Sequence, residues 1–204
     1  MERDMGDTSA MASSVSALLR RASDVLREVS EGPFGESVTA AVDLLETAMT
    51  GGQKLLVFGN GGSAADAQHL CCELVGRFQA TRRALPAIAL TTDQALLTAW
   101  SNDHGFDHVF ARQIEALGKP GDVAFGISTS GNSPNVVNAV RRGRVLGMRT
   151  IGLTGLGGGS LAEHCDVLMA VPLTETPRIQ EVHRVTYHAI CAALEERLFG
   201  SPPR

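Results

Sequence analysis

The sequence predicts an α/β protein whose parallel sheet is covered by helices on both faces. Three observations predict it. Five short apolar runs, at 55–58, 87–90, 123–127, 150–153 and 167–171, lack the in–out alternation of a half-exposed sheet. Helical stretches separate them, which is the strand–helix alternation of such a fold. Loops rich in glycine and hydroxyl residues follow the first and third runs at once, and ligands bind at that end of a parallel sheet.

In chain order, residues 1–12 are polar and small and read as a flexible tail, with a single domain over 13–200. Between 13 and 30, Val15, Leu18, Leu19, Val25, Leu26 and Val29 recur at helical spacing. Gly32–Pro33 breaks that helix. A second runs from about 34 to 50 and stops at Gly51–Gly52. The helices within the sheet region are expected at 63–80, at 93–117 with a break near 101–105, at 134–147 and at 159–164. A last helix covers about 177–198. No internal repeat and no linker divides the chain.

Composition narrows the function. Hydrophobic residues make up 44% and charged residues 20%, an ordinary globular balance. The formal charge is −4 and the basic clusters are short, so nucleic acid and acidic membrane are poor partners. Aromatics at 4% argue against a stacking platform for single strands. Cys71, Cys72, Cys165 and Cys191 form neither a disulfide framework nor a zinc-finger spacing. No apolar run is long enough to span a bilayer. A cytoplasmic protein is the expectation.

The chemistry concentrates between Leu55 and Glu73. Gly59-Asn60-Gly61-Gly62-Ser63 turns a buried strand into a helix, and backbone N–H groups at such a turn bind anions. Gly59 to Ala64 also satisfies the dinucleotide pattern GxGxxG/A. That reading needs an acid about 20 residues on, at the end of the next strand. The first acid after Leu90 is Asp93, too far along, so a dinucleotide is not expected. No lysine follows the glycines, which removes the Walker A reading. The second loop, Ser128-Thr129-Ser130-Gly131-Asn132-Ser133, precedes Pro134, and Ser133 and Pro134 suit N-cap and N1 of the next helix. Hydroxyls and backbone amides at two strand ends point to a phosphorylated ligand. His69 and Glu73, at i and i+4, share a helix face. Imidazole and carboxylate so spaced can hold zinc or move protons. Gln180, Glu181, His183 and His188 on the last helix are candidate partners. Asn102-Asp103-His104 is either a plain turn or a loop that reaches a ligand.

Taken together, GNGGSAADAQH with Glu73, TTD at 91–93, SND-xx-FD at 101–107, ISTSGNS at 127–133 and RIQE at 178–181 with His188 resemble the phosphoheptose isomerases of the sugar-isomerase (SIS) domain family. The resemblance covers nearly the whole chain. It implies a three-layer α/β/α sandwich with a five-stranded parallel sheet, two added N-terminal helices and a homotetramer with intersubunit active sites. It implies interconversion of sedoheptulose 7-phosphate and D-glycero-D-manno-heptose 7-phosphate, in heptose biosynthesis, by proton transfer through an enediol. By the same resemblance His69, Glu73, Gln180 and His188 match the ligands of one Zn²⁺ per subunit, and Glu73 and His188 match the acid/base pair. Asn60, Gly61, Gly62, Ser63, Glu73, Asn102, Asp103, Ser128, Thr129, Ser130, Ser133 and Gln180 match substrate-binding positions. Pro177 departs from the family pattern. The alternative is a non-catalytic SIS-domain regulator of the type that associates with a replication initiator. Such regulators lack the acid and the histidine that this chain keeps at Glu73 and His188.

Overall fold

The computed structural model describes residues 5–200. Helices α1 (Met5–Ser30) and α2 (Phe34–Thr50) precede the sheet. Residues 5–12, which the composition assigns to a tail, are the first turns of α1. Then follow β1 (Leu55–Gly59), α3 (Gly62–Val75), β2 (Ala87–Ala89), α4 (Gln94–His104), a 3₁₀ turn (Phe106–His108) and α5 (Val109–Leu117). The chain continues through β3 (Val123–Ser128), α6 (Pro134–Val145), β4 (Arg149–Thr154), a second 3₁₀ segment (Gly159–His164), β5 (Val167–Ala170) and α7 (Thr176–Phe199). All five strands stand where the apolar runs place them. The predicted break in the 93–117 helix falls at Gly105, whose φ of 83° is left-handed.

The sheet is wholly parallel, in the order β2-β1-β3-β4-β5. Its strands are buried because their alternate side chains feed two cores. Leu55, Val57, Val123, Phe125, Ile127, Ile151 and Leu153 face a core built with α2, α3 and α7. Leu56, Phe58 and Ala124 face the other, built with α5 and α6. Each fully buried Leu, Ile or Phe here contributes about 1.5–3 kcal/mol. The C-terminal part of α1 docks through Val25 and Val29 on Val171, Ile179 and Val182. Pro177 lies in the first turn of α7, where its missing N–H costs nothing.

The strand order positions the site. The chain leaves β1 for β2 on one side and returns to β3 on the other. The carboxyl ends of β1 and β3 therefore flank the switch point, where crossovers diverge and leave a crevice. Both candidate loops lie there.

One helix is shorter than the pattern suggests. α3 ends at Val75, not near 80. Gly76 interrupts it, and the next residues are captured from across the fold. The Glu195 carboxylate, on α7, accepts the backbone N–H groups of Phe78, Gln79 and Ala80, each at 2.9 Å, and Arg82 Nε at 3.0 Å. The Glu195 and Arg82 side chains are 3% and 2% exposed. Burial works to raise the Glu195 carboxyl, but the three backbone donors and Arg82 overcome it and hold it below its ordinary value.

Candidate active site

The first loop turns on glycine. Gly61 has φ 53° and stands at the N-cap of α3. The carbonyl of Asn60 accepts from Ser63 N, and that of Gly61 from Ala64 N and Ala65 N. The N-terminus of α3 thus opens at the end of β1. In the second loop Ser128 Oγ lies 3.0 Å from Ser133 Oγ and 3.5 Å from Ser130 Oγ. Ser133 and Pro134 take N-cap and N1, but the Ser133 side chain does not cap. Its hydroxyl is engaged with Ser128, and its carbonyl accepts from Val136 N and Val137 N. Gly131 is required: its φ is 65°, and a Cβ there would lie 1.9 Å from Gly158 O. Asn132 Oδ1 accepts from Ser160 N and Ser160 Oγ, and Gly155 N donates to Thr129 O. A reciprocal amide pair joins the two loops. Asn60 Nδ2 donates to Asn135 Oδ1 at 2.8 Å, and Asn135 Nδ2 to Asn60 Oδ1 at 2.9 Å.

Helix α7 runs alongside α3 in the same direction. Arg184 meets Asp66 and Tyr187 meets His69, both at an offset of 118 residues. Gln180 packs on Gly62, so close that a Cβ on Gly62 would lie 2.6 Å from Gln180 Nε2. The next residue on α7, His188, meets the pair predicted on α3. The ligand atoms of His69, Glu73 and His188 all lie within 4.8 Å of one another. His69 Nε2 stands 2.9 Å from Glu73 Oε1. The rings of His69 and His188 meet edge to face at 5.1 Å, and Phe78 stacks on His188 at 5.5 Å. Burial, and next to it His69, hold the His188 imidazole below its ordinary value.

This donor set suits a divalent cation. In a tetrahedral site with bonds near 2.0–2.1 Å, neighbouring ligand atoms stand about 3.3 Å apart. The 2.9 Å between His69 Nε2 and Glu73 Oε1 is close to that value, and His188 lies within reach of the same centre. Burial pushes Cys71, Cys165 and Cys191 up to about 12, so these thiols stay protonated.

The structure does not gather every predicted residue. Asn102 and Asp103 are exposed at the end of α4, where Asn102 Nδ2 donates to Asp103 Oδ1. Gln180 stands at the glycine loop, two turns of α7 before His188. His183, a candidate partner, is fully buried, with Nε2 3.1 Å from Thr154 O, and it is not in the triad. Residues the sequence reasoning passed over belong to the surroundings: Tyr187, Asp66, Asn135, Phe78 and Glu195. Asp66, one turn before His69, was open to discovery by helical spacing. The others depend on long-range pairing that no local pattern carries.

The fold and the crevice define a SIS-domain protein, and residues 18–155 match the SIS domain family. The phosphoheptose isomerase of Geotalea daltonii is 60% identical over 163 residues, 80% of this chain and 85% of that one. That of Geobacter sulfurreducens is 51% identical over 189 residues, 93% of this chain and 100% of that one. The solved phosphoheptose isomerase GmhA from Neisseria gonorrhoeae superposes with a TM-score of 0.85 at 42% identity, covering 91% of this chain and 99% of that one. The chain belongs to the phosphoheptose isomerase family, and its class of activity is sugar-phosphate isomerisation. The regulator alternative is not favoured.

Proposed function

We propose that this enzyme interconverts sedoheptulose 7-phosphate and D-glycero-D-manno-heptose 7-phosphate. The observation that carries the reading is the His69–Glu73–His188 cluster on two helices whose N-terminal parts border the β1/β3 crevice. The phosphate would lie in the 128–133 loop, against the hydroxyls of Ser128, Thr129, Ser130 and Ser133 and the N-terminus of α6. Asn60, Gly61, Gly62, Ser63 and Gln180 would hold the sugar chain.

Ketose to aldose conversion takes a proton from C1 and delivers one to O2, giving an enediol. It then returns a proton to C2 and removes one from O1. Glu73 and His188 are the proposed pair for these four transfers. Phe78 and Tyr187 flank the His188 ring and restrict its orientation. We assign His69, Glu73 and His188 as ligands of Zn²⁺; Gln180 matches the fourth ligand by the family resemblance, and would have to reach the ion from the glycine loop. The packing of Gln180 on Gly62 favours its substrate role. A bound zinc would polarise the substrate oxygens and so stabilise the enediol charge. Glu73 cannot be a tight ligand and a strong base at one moment, so its two roles fall at different points of the cycle.

A homotetramer with shared sites is part of the same proposal. Met11, Val15, Leu18 and Leu19 on α1 and Val185 on α7 are exposed apolar residues. No residue of α4 is buried, although this helix carries Asn102 and Asp103. Burial of these faces by a second copy would account for both and would let Asn102 and Asp103 reach a neighbouring crevice. No helix among the described residues is long and apolar enough to cross a membrane. We place the enzyme in the cytoplasm. The test is incubation with sedoheptulose 7-phosphate and detection of the aldose product. Sugar phosphate bound without turnover would overturn the reading.

A further inference from the structure

Next to the triad lies a buried pair of polar groups to which the reaction above assigns no proton transfer. The Tyr187 hydroxyl stands 2.9 Å from His69 Nδ1 and 3.4 Å from Asp66 Oδ1. Tyr187 is wholly buried, and Asp66 is 2% exposed. Asp66 is also 3.4 Å from the Arg184 guanidinium. We propose that Tyr187 and Asp66 set the tautomer of His69 and thereby the affinity of the triad for its cation. The inference rests on the metal reading given above.

A neutral imidazole carries one N–H, and the partner of one nitrogen decides the state of the other. Nε2 faces Glu73, so Nε2 is the ligand atom. To offer a lone pair it must lose its proton, and Nδ1 must then carry one. A half-buried Nδ1–H needs an acceptor. Among the described residues, the Tyr187 oxygen stands at hydrogen-bond distance from it, 2.9 Å away. Tyr187 can accept only if its own O–H points elsewhere, and Asp66 Oδ1 lies in reach. With a cation bound, the order is Nδ1–H to Tyr187 and Tyr187 O–H to Asp66.

Without a cation the order reverses. Nε2–H would then donate across the 2.9 Å to Glu73 Oε1, and the Tyr187 hydroxyl would turn from Asp66 to donate across the 2.9 Å to Nδ1. Between the two states one proton passes from Nε2 to Nδ1, and one hydroxyl turns. The imidazole proton only changes place, and Tyr187 keeps its own. Asp66 therefore gives the loaded state a charged acceptor, and charge-assisted bonds are the stronger ones. Arg184 holds Asp66 from the solvent side. Tyr187 acts through His69, which makes it a positioning residue.

The test compares the full-length enzyme with Tyr187→Phe and Asp66→Asn. Zinc affinity is measured by competition with a chromophoric chelator, and Co²⁺ loading by its visible absorption. Loss of a hydrogen-bond partner behind a ligating histidine weakens metal binding about 10–100-fold. Tyr187→Phe is expected to fall in that range while its metal-free melting curve stays cooperative. Asp66→Asn keeps an acceptor oxygen, so it should show a smaller loss in the same direction, and it decides the matter if Tyr187→Phe does not fold. Wild-type zinc binding with both variants within twofold of it would overturn the relay and leave the metal site standing. Failure of the wild type itself to bind zinc or Co²⁺ would overturn the metal reading, and the relay with it.

Discussion

Glu195→Gln tests how α7 shapes the site from a distance. Oε1 of Glu195 takes Phe78 N and Arg82 Nε, and Oε2 takes Gln79 N and Ala80 N. Glutamine has the same shape but one acceptor oxygen. Whichever oxygen becomes NH₂, two donors lose their partner and face another donor. An unsatisfied buried group costs about 1–3 kcal/mol, so two cost about 2–6. Removing one partner of a buried ion pair costs about 3–5 kcal/mol by an independent route. We expect about 3–5 kcal/mol, read from urea unfolding at pH 7 and fixed protein concentration. The pH dependence has a definite sign. The native Glu195 carboxyl sits below its unfolded value, so its stabilisation is complete above the ordinary glutamate value of 4.5. It is lost as pH falls through the lower native value. The gap between wild type and variant should therefore narrow in acid. A gap under about 1 kcal/mol at pH 7, well short of the buried-pair range, would refute the reasoning, as would one that does not narrow. Phe78 sits on the captured segment and stacks on His188, so kcat should fall as well.

Glu73→Gln and His188→Ala should each lower kcat by at least about 10²-fold with unfolding curves near wild type; near wild-type turnover in either would remove the proposed acid/base pair. Asn135→Ala breaks the amide pair that ties Asn60 to α6 and should raise KM for the sugar phosphate at a stability cost of about 1–3 kcal/mol; an unchanged KM would mean that the pair does not hold the crevice. Gly131→Ala drives a Cβ into Gly158 O, so the hydroxyl loop must shift, and phosphate inhibition should weaken; inhibition equal to wild type would separate that loop from phosphate binding. Dialysis against a strong chelator should abolish turnover and added Zn²⁺ should restore it; full activity in metal-free enzyme would refute a catalytic ion.

Much of the site was legible locally. Gly59 to Ser63 between a buried run and a helix announces an anion-binding turn, because backbone N–H groups at a helix N-terminus need no side chain. His69 and Glu73 follow from helical spacing alone. The end of α3 was not legible. Its apolar pattern runs on toward Phe78; Gly76 is a weak local stop, and it is Glu195, more than a hundred residues away, that captures the amides beyond it. Ser133 was legible as an N-cap position but not as the partner of Ser128, because a hydroxyl takes the nearest acceptor that tertiary folding offers. Residues 5–12 read as a tail because polar and small residues leave no apolar stripe; as the first turns of α1, they extend a helix whose docking residues lie at Val25 and Val29.

The sequence by itself determined the five strands, the two loops at their ends and the sharing of one helix face by His69 and Glu73. Each follows from contacts within a few residues, so local periodicity and turn chemistry suffice. Tertiary structure decided the rest. The strand order β2-β1-β3-β4-β5 placed both loops at one switch point. The offset of 118 between α3 and α7 brought Tyr187 and His188 to His69 and left Gln180 at Gly62. That offset is set by how two apolar helix faces pack on the same side of the sheet, and no segment of chain contains it.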